Sequence, residues 1–323
     1  MKLFSIPGLL VFLRCDEVGA FLGYSPKILP LARSTQQHGV AAVKIISRQS
    51  VTVMSGDEMP ATGASIAFRA GAVAFTAVHS TCSGLPLFEK ALGLDLLLAA
   101  RNLAPLPIYW SIFNSLASAS KVGWGRLGSA TYRRLNLALA SSMCWSTFLM
   151  LQKGVPQSVI VKNTASTTLV GIALVSLIVW KKSQPVGEKL TLKNYVFRYV
   201  ELLCGDVLQM ISHPNAEEDS GSNIYTILSL SFAICAARCP TSPLAPFHFL
   251  SSVVCLVLRD AAQRGRGGAS TFVSLQRGVV SWATILIGSA SASLLYPGSS
   301  PLPLSSWAMG GASLVLALKP RGK

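Results

Sequence analysis

Forty-one consecutive residues, Gly278 to Leu318, carry no charged side chain. The run is interrupted only by Tyr296-Pro297-Gly298-Ser299-Ser300-Pro301-Leu302-Pro303. No single core helix or strand uses so long an apolar stretch. About 20 apolar residues cross the hydrocarbon of a bilayer. The run is therefore expected to form two membrane helices, Gly278–Tyr296 and Leu302–Leu318, with a tight turn between them.

Other uncharged windows of spanning length recur along the chain. They are Asn102–Ser120, Leu135–Leu151, Asn163–Trp180, Ser220–Ala237 and Cys239–Leu258, the last two joined by a turn at Arg238–Pro243. Two windows carry charge. Met59–Ser80 contains Arg69, and Asn194–Ser212 contains Arg198, Glu201 and Asp206. A charge at the centre of a membrane helix costs roughly 2.5–3.5 kcal/mol, so such helices must turn it toward a bundle interior or a wet cavity.

Composition agrees with a membrane setting. Only 13% of residues are charged and 51% are hydrophobic, against about 25% charged in ordinary soluble domains. The net charge of +15 lies mostly in the short gaps between apolar runs, where membrane proteins set their orientation. There is no long basic block with interleaved aromatics, so nucleic acid is not the expected partner. The seven cysteines are scattered with no CxxC, and the four histidines are isolated. No metal site is expected; the cysteines read as small apolar helix residues.

The expected organisation has five parts. Residues 1–58 are unclear, either targeting sequence or a degraded first helix at Val40–Met54. Residues 59–182 form a first helical half and 183–193 a loop. Residues 194–318 form a second half, and 319–323 a basic tail. The seven uncharged windows together with Met59–Ser80 give the simplest topology, eight helices. In it Lys121, Arg126, Arg133 and Arg134, then Lys181, Lys182, Lys189 and Lys193, then Arg259, Arg264 and Arg266, and finally Lys319, Arg321 and Lys323 share one side, the cytosolic one.

The chain also echoes itself. Tyr132-Arg133-Arg134, an apolar helix, the turn Lys153-Gly154-Val155-Pro156 and Leu169-Val170-Gly171-Ile172-Ala173-Leu174-Val175 form one series. Leu275-Gln276-Arg277, an apolar helix, the turn Pro297-Gly298 and Met309-Gly310-Gly311-Ala312-Ser313-Leu314-Val315 repeat its order. Internal repeats that frame a site at mid-membrane are a mark of transporters.

At these residues the chain resembles the nucleotide-sugar transporters of the drug/metabolite transporter superfamily. Ser115-Leu116-Ala117-Ser118-Ala119-Ser120-Lys121, then Ala130-Thr131-Tyr132-Arg133-Arg134, are similar to the family's third and fourth helices. Ala269-Ser270-Thr271-Phe272-Val273-Ser274-Leu275-Gln276-Arg277 is similar to its ninth. The likeness is diffuse over residues 55–319. Arg277 stands where the family has Lys, and Ile224-Tyr225-Thr226-Ile227 stands where guanine-sugar carriers have Phe-Tyr-Asn-Asn. The resemblance implies an all-α polytopic membrane bundle of about ten helices, eight of them strong, built from two inverted five-helix repeats with Asn194–Ser212 as the sixth helix. It further implies an antiporter that exchanges a nucleotide-sugar for a nucleoside monophosphate in a Golgi or endoplasmic reticulum membrane, not an enzyme and without a cofactor.

Such a solute carries phosphate, a flat base and a hydroxyl-rich sugar. Arginine offers a planar fork that matches phosphate oxygens. The candidate contacts are Lys121, Tyr132, Arg133, Arg134, Tyr225, Thr226, Ser274 and Arg277. Arg277, placed in an uncharged stretch, is expected to face a cavity; interfacial snorkelling is its alternative. The other expectations are a sugar-phosphate or organic-anion translocator of a plastid or another organelle, and a non-transporting membrane protein. Partners are the anionic solute and membrane lipids, with a homodimer left open.

Overall fold

A computed structural model describes residues 61–83, 103–152, 159–184 and 220–295, together with Gly311. Among the described residues every regular element is a helix. In chain order these are α1 Thr62–Ser83, α2 Leu106–Val122, α3 Trp124–Leu127, α4 Ala130–Leu151, α5 Val159–Lys182, α6 Ser220–Arg238, α7 Ala245–Gln263 and α8 Ser270–Leu295. All belong to the unit Met59–Lys323. Two of them, α5 and α7, are long and apolar enough to cross a membrane. The expected segments at Val40–Met54, Asn194–Ser212 and Leu302–Leu318 lie outside the described residues, Gly311 apart.

Glycine and proline set most of the boundaries. α2 begins just after Pro105, with Pro107 in its first turn where a missing N–H costs nothing. It stops at Gly123, whose φ of 138° suits a residue without Cβ. Cys239–Leu244, with two prolines, turns α6 back into α7. The Gly265–Gly268 stretch ends α7, and α8 begins at Ser270, eight residues before the window expected from charge alone. Arg277 is thus two turns inside α8, not at its start.

Specific contacts fix the direction of each helix. The Ala61 amide donates to Ser120 O at 2.9 Å, and Trp110 Nε1 to Thr76 Oγ1 at 2.8 Å, so α1 and α2 are antiparallel. The Tyr109 and Ser142 hydroxyls, 2.7 Å apart, set α2 against α4 in the same sense. Ser142 Oγ donates to Pro246 O and Trp145 Nε1 to Pro240 O, each at 3.1 Å, while Arg134 pairs with Asp260, so α4 and α7 are antiparallel. Lys162 Nζ reaches Leu151 O at 3.3 Å, turning α5 back along α4. Ser229 and Ser252, 3.0 Å apart, do the same for α6 and α7.

These directions gather one set of termini at a single end. It holds the starts of α1, α4, α6 and α8 and the finishes of α2, α5 and α7. Lys121, Arg126, Arg133, Arg134, Lys181, Lys182, Arg259, Arg264 and Arg266 all stand there. Lys162 and Arg238 stand at the far end. For the described residues, the side that charge bias assigns to the cytosol is thus one physical face, called here the basic end.

The helix adjacencies repeat. α1 packs on α2 as α6 packs on α7; α2 meets α4 as α7 meets α8; α4 lies against α7 and α8 against α2. Gly278 makes the last of these close. A Cβ there would sit 2.5 Å from Ser111 Oγ and 2.9 Å from Pro107 O, so only glycine permits this approach.

The inverted arrangement implied by the resemblance needs correction. Inverted halves would run α4 and α8 in opposite directions. The Tyr132 and Thr271 hydroxyls, 2.5 Å apart, join the first turns of α4 and α8 at one end, so the two are parallel. The chain also leaves α5 and enters α6 at the same end.

Candidate functional site

The two halves of the bundle differ in chemistry. The far half is filled by aromatic rings. Phe75 and Tyr109 have centroids 4.2 Å apart, Phe232 and Trp282 are 5.2 Å apart, and Phe247 touches both pairs. All five are buried. Offset and edge contacts of this kind add roughly 0.5–1.5 kcal/mol per pair beyond area burial. A cleft of about 340 Å³ lies between α1 and α5, lined by Phe68, Gly71, Phe113, Gly171 and Ile172.

The half beneath the basic end adds polar and charged side chains to an apolar core that includes Phe68, Leu116, Leu127, Leu135 and Leu275. Tyr132 is buried on the first turn of α4 and bonded to Thr271. The Arg126 guanidinium lies 5.6 Å over the Tyr132 ring, a cation–π contact that fixes the ring's outer face toward positive charge. Arg134 pairs with Asp260, the only carboxylate side chain among the described residues. Arg259, the neighbour of Asp260, is 5% exposed. Lys182 lies 5.9 Å over the Trp124 ring. Among the described residues this end carries one carboxylate against nine Lys and Arg side chains, a surplus of positive charge that concentrates anions.

All eight residues expected from the sequence lie in this half. Tyr132, Tyr225 and Thr226 are buried; Arg133, Arg134 and Ser274 are half-buried; Lys121 and Arg277 are exposed. The structure brings Tyr132 to α8 through Thr271, and Ser274 follows one turn along the same face. Helical register carries this seam onward from Gly278 and Ser111 to Ser274 and Ser115, each four residues further toward the basic end. Thr226 spends its hydroxyl on Ser222 O at 3.1 Å within its own helix. Arg134 is held by Asp260, so the Arg133/Arg134 pair divides between two settings.

Three contributors escaped sequence reasoning as site residues. Asp260 was legible as a lone acid beside Arg259 in an apolar helix. Arg126 sat in a short loop that gave no hint of Tyr132. Asn136, fully buried on α4, is a lone amide in a spanning window, the kind of polar residue that membrane segments keep for a reason.

The arrangement offers cations, a tyrosine face and small hydroxyls at one end, closed off by rings toward the other. Among the described residues there is no group of three or more potential metal ligands. No protein-family model matches the chain, and neither a curated protein nor a solved structure matches it.

Proposed function

We propose that this chain is a multi-pass membrane carrier for phosphate-bearing organic anions, and that its basic end faces the cytosol and admits the solute. Nucleotide-sugars, exchanged for nucleoside monophosphates across a Golgi or endoplasmic reticulum membrane, are the class that the sequence resemblance favours. The observation that carries the reading is the division of the bundle: a cationic, hydroxyl-bearing half under one end and an aromatic seal under the other. A carrier closed on one side has this form.

The membrane setting is supported by the outer faces. Val159, Ile160, Leu174 and Ile178 on α5, Ile66 and Val73 on α1, and Phe148 on α4 are large apolar side chains exposed by half or more. Water penalises such a surface, and lipid does not. The gathering of cations at one end agrees with a cytosolic orientation.

The adjacencies support a duplicated unit, α1-α2-α4 and α6-α7-α8, related by an axis along the bundle. This is a parallel repeat, and it pairs α4 with α8, the same pairing as the echo of Tyr132-Arg133-Arg134 in Leu275-Gln276-Arg277. Parallel repeats place a site at their junction as inverted ones do. Here that junction is the α2–α4–α7–α8 contact.

The test is exchange in proteoliposomes. Vesicles loaded with a nucleoside monophosphate should take up at least one labelled nucleotide-sugar or sugar phosphate, and Arg133→Ala should reduce the uptake by at least about tenfold. A second reading, a non-transporting membrane protein, is favoured by the packed aromatic half and the outward Arg277. Uptake no greater than in empty vesicles, for every labelled solute, would establish that reading instead.

A further inference from the structure

Asn136 is 0% exposed, and neither its amide nitrogen nor its amide oxygen has a hydrogen-bond partner. Burying an amide in this state costs free energy that any apolar residue would avoid. Asn136 lies one turn beyond Tyr132 on the same face of α4. Ser115 is a second such group, 2% exposed with its hydroxyl unpartnered. The contact of Tyr109 with Ser142 sets the register of α2 against α4. Counting inward from it along both antiparallel helices puts Ser115 and Asn136 at the same depth. Ser274 stands at that depth too, across the Gly278 seam from Ser115. Three small polar side chains on three adjacent helices thus form a layer immediately inside the Tyr132–Thr271 contact.

We infer that Asn136, with Ser115, binds the uncharged hydroxyl-bearing part of the solute while the arginines outside it take the phosphate. This rests on the carrier reading above and extends it to the recognition of the neutral moiety. The chemistry fits the residue types. A carboxamide offers two donors and an acceptor, and a serine hydroxyl offers one donor and two lone pairs. A polyol satisfies both; a phosphate uses only the donors. Neither side chain carries charge, so the layer discriminates by hydroxyl pattern and not by net charge. A site of unpaired polar groups rejects a solute that cannot pair them.

The experiment uses the full-length protein in detergent, wild type against Asn136→Leu, with Ser115→Ala as a second variant. Thermal unfolding without solute comes first. Asn136→Leu should unfold at a higher temperature, because the change replaces an unpaired buried amide by an apolar side chain with the same number of heavy atoms and the same branching. A lower temperature would mean that Asn136 holds the fold together, and would overturn the inference.

Binding comes second, with UDP-glucose, GDP-mannose and glucose 1-phosphate set against their sugar-free counterparts UDP, GDP and inorganic phosphate. Wild type should bind at least one sugar-bearing probe more tightly than its counterpart. Asn136→Leu should lose that margin, about tenfold in Kd, while keeping its affinity for the sugar-free probe; Ser115→Ala should lose part of it. A margin kept in full by Asn136→Leu would overturn the inference and leave the anion carrier standing. Wild type that binds no probe would overturn both.

Discussion

The hydroxyls of Tyr132 and Thr271 meet at 2.5 Å across 139 positions of sequence, tying the first turn of α4 to the first turn of α8. Both side chains are buried. This contact fixes the relative direction of the two halves, and it should be energetically real. Tyr132→Phe and Thr271→Val should each destabilise the protein. The double variant should cost less than the sum, with a coupling of about 0.6 kcal/mol and at most about 1.7 kcal/mol, the range for hydrogen bonds between membrane helices. Additive unfolding free energies would mean that the hydroxyls do not interact.

Gly278 should be the least replaceable glycine of α8. Gly278→Ala places a methyl group against Ser111 and the Pro107 carbonyl. α2 and α8 must then separate, at a cost of about 1–3 kcal/mol. Gly288→Ala meets nothing within 4 Å and serves as the control, neutral or slightly stabilising. Equal melting temperatures for the two variants would contradict the close seam.

Arg134 and Asp260 form an ion pair that is only partly exposed, with side chains 20% and 29% accessible. Asp260→Asn should lower stability by leaving the guanidinium with a weaker partner. The exchanged pair, Arg134→Asp with Asp260→Arg, should recover part of the loss. At this exposure the pair contributes on the order of 1 kcal/mol, and the loss should shrink at high salt. A salt-independent loss would point to packing instead.

The helices themselves were largely legible. Asn163–Trp180 and Ser220–Ala237 lie within α5 and α6, because the uncharged windows and the Gly and Pro residues between them mark where helices run and stop. α4 and α8 begin earlier than their windows, at Ala130 and Ser270. An arginine within the first turns of a helix can reach the interface, so charge does not delimit a helix end.

The direction of the second half was not legible from hydropathy, which is the same read forward or backward. The charge pattern did contain it. Charge bias groups Lys181-Lys182 with Arg133 and Arg134 on one side, and the structure puts all four at the basic end. Asn136 could be noticed as a polar residue in an apolar window, but its lack of a partner is a property of packing that no spacing reveals.

Transport variants should separate the two arginine settings. Arg277 is exposed, and Arg133 is half-buried beside the Tyr132 layer. Arg133→Ala should reduce exchange of an anionic solute by at least about tenfold, the effect of losing one charged hydrogen bond. Arg277→Ala should act less strongly. The reverse order, measured as initial uptake rates in proteoliposomes, would move the binding site outward to α8.

The parallel run of α4 and α8 is most directly tested by the sidedness of their preceding loops. Single cysteines at Gly125, Gly267 and Ser242, in a cysteine-free background reconstituted in sealed oriented vesicles, should react with a membrane-impermeant thiol reagent. Gly125→Cys and Gly267→Cys should label from the same side, and Ser242→Cys from the opposite one. Labelling of positions 125 and 267 from opposite sides would contradict the parallel arrangement and require the inverted one in its place.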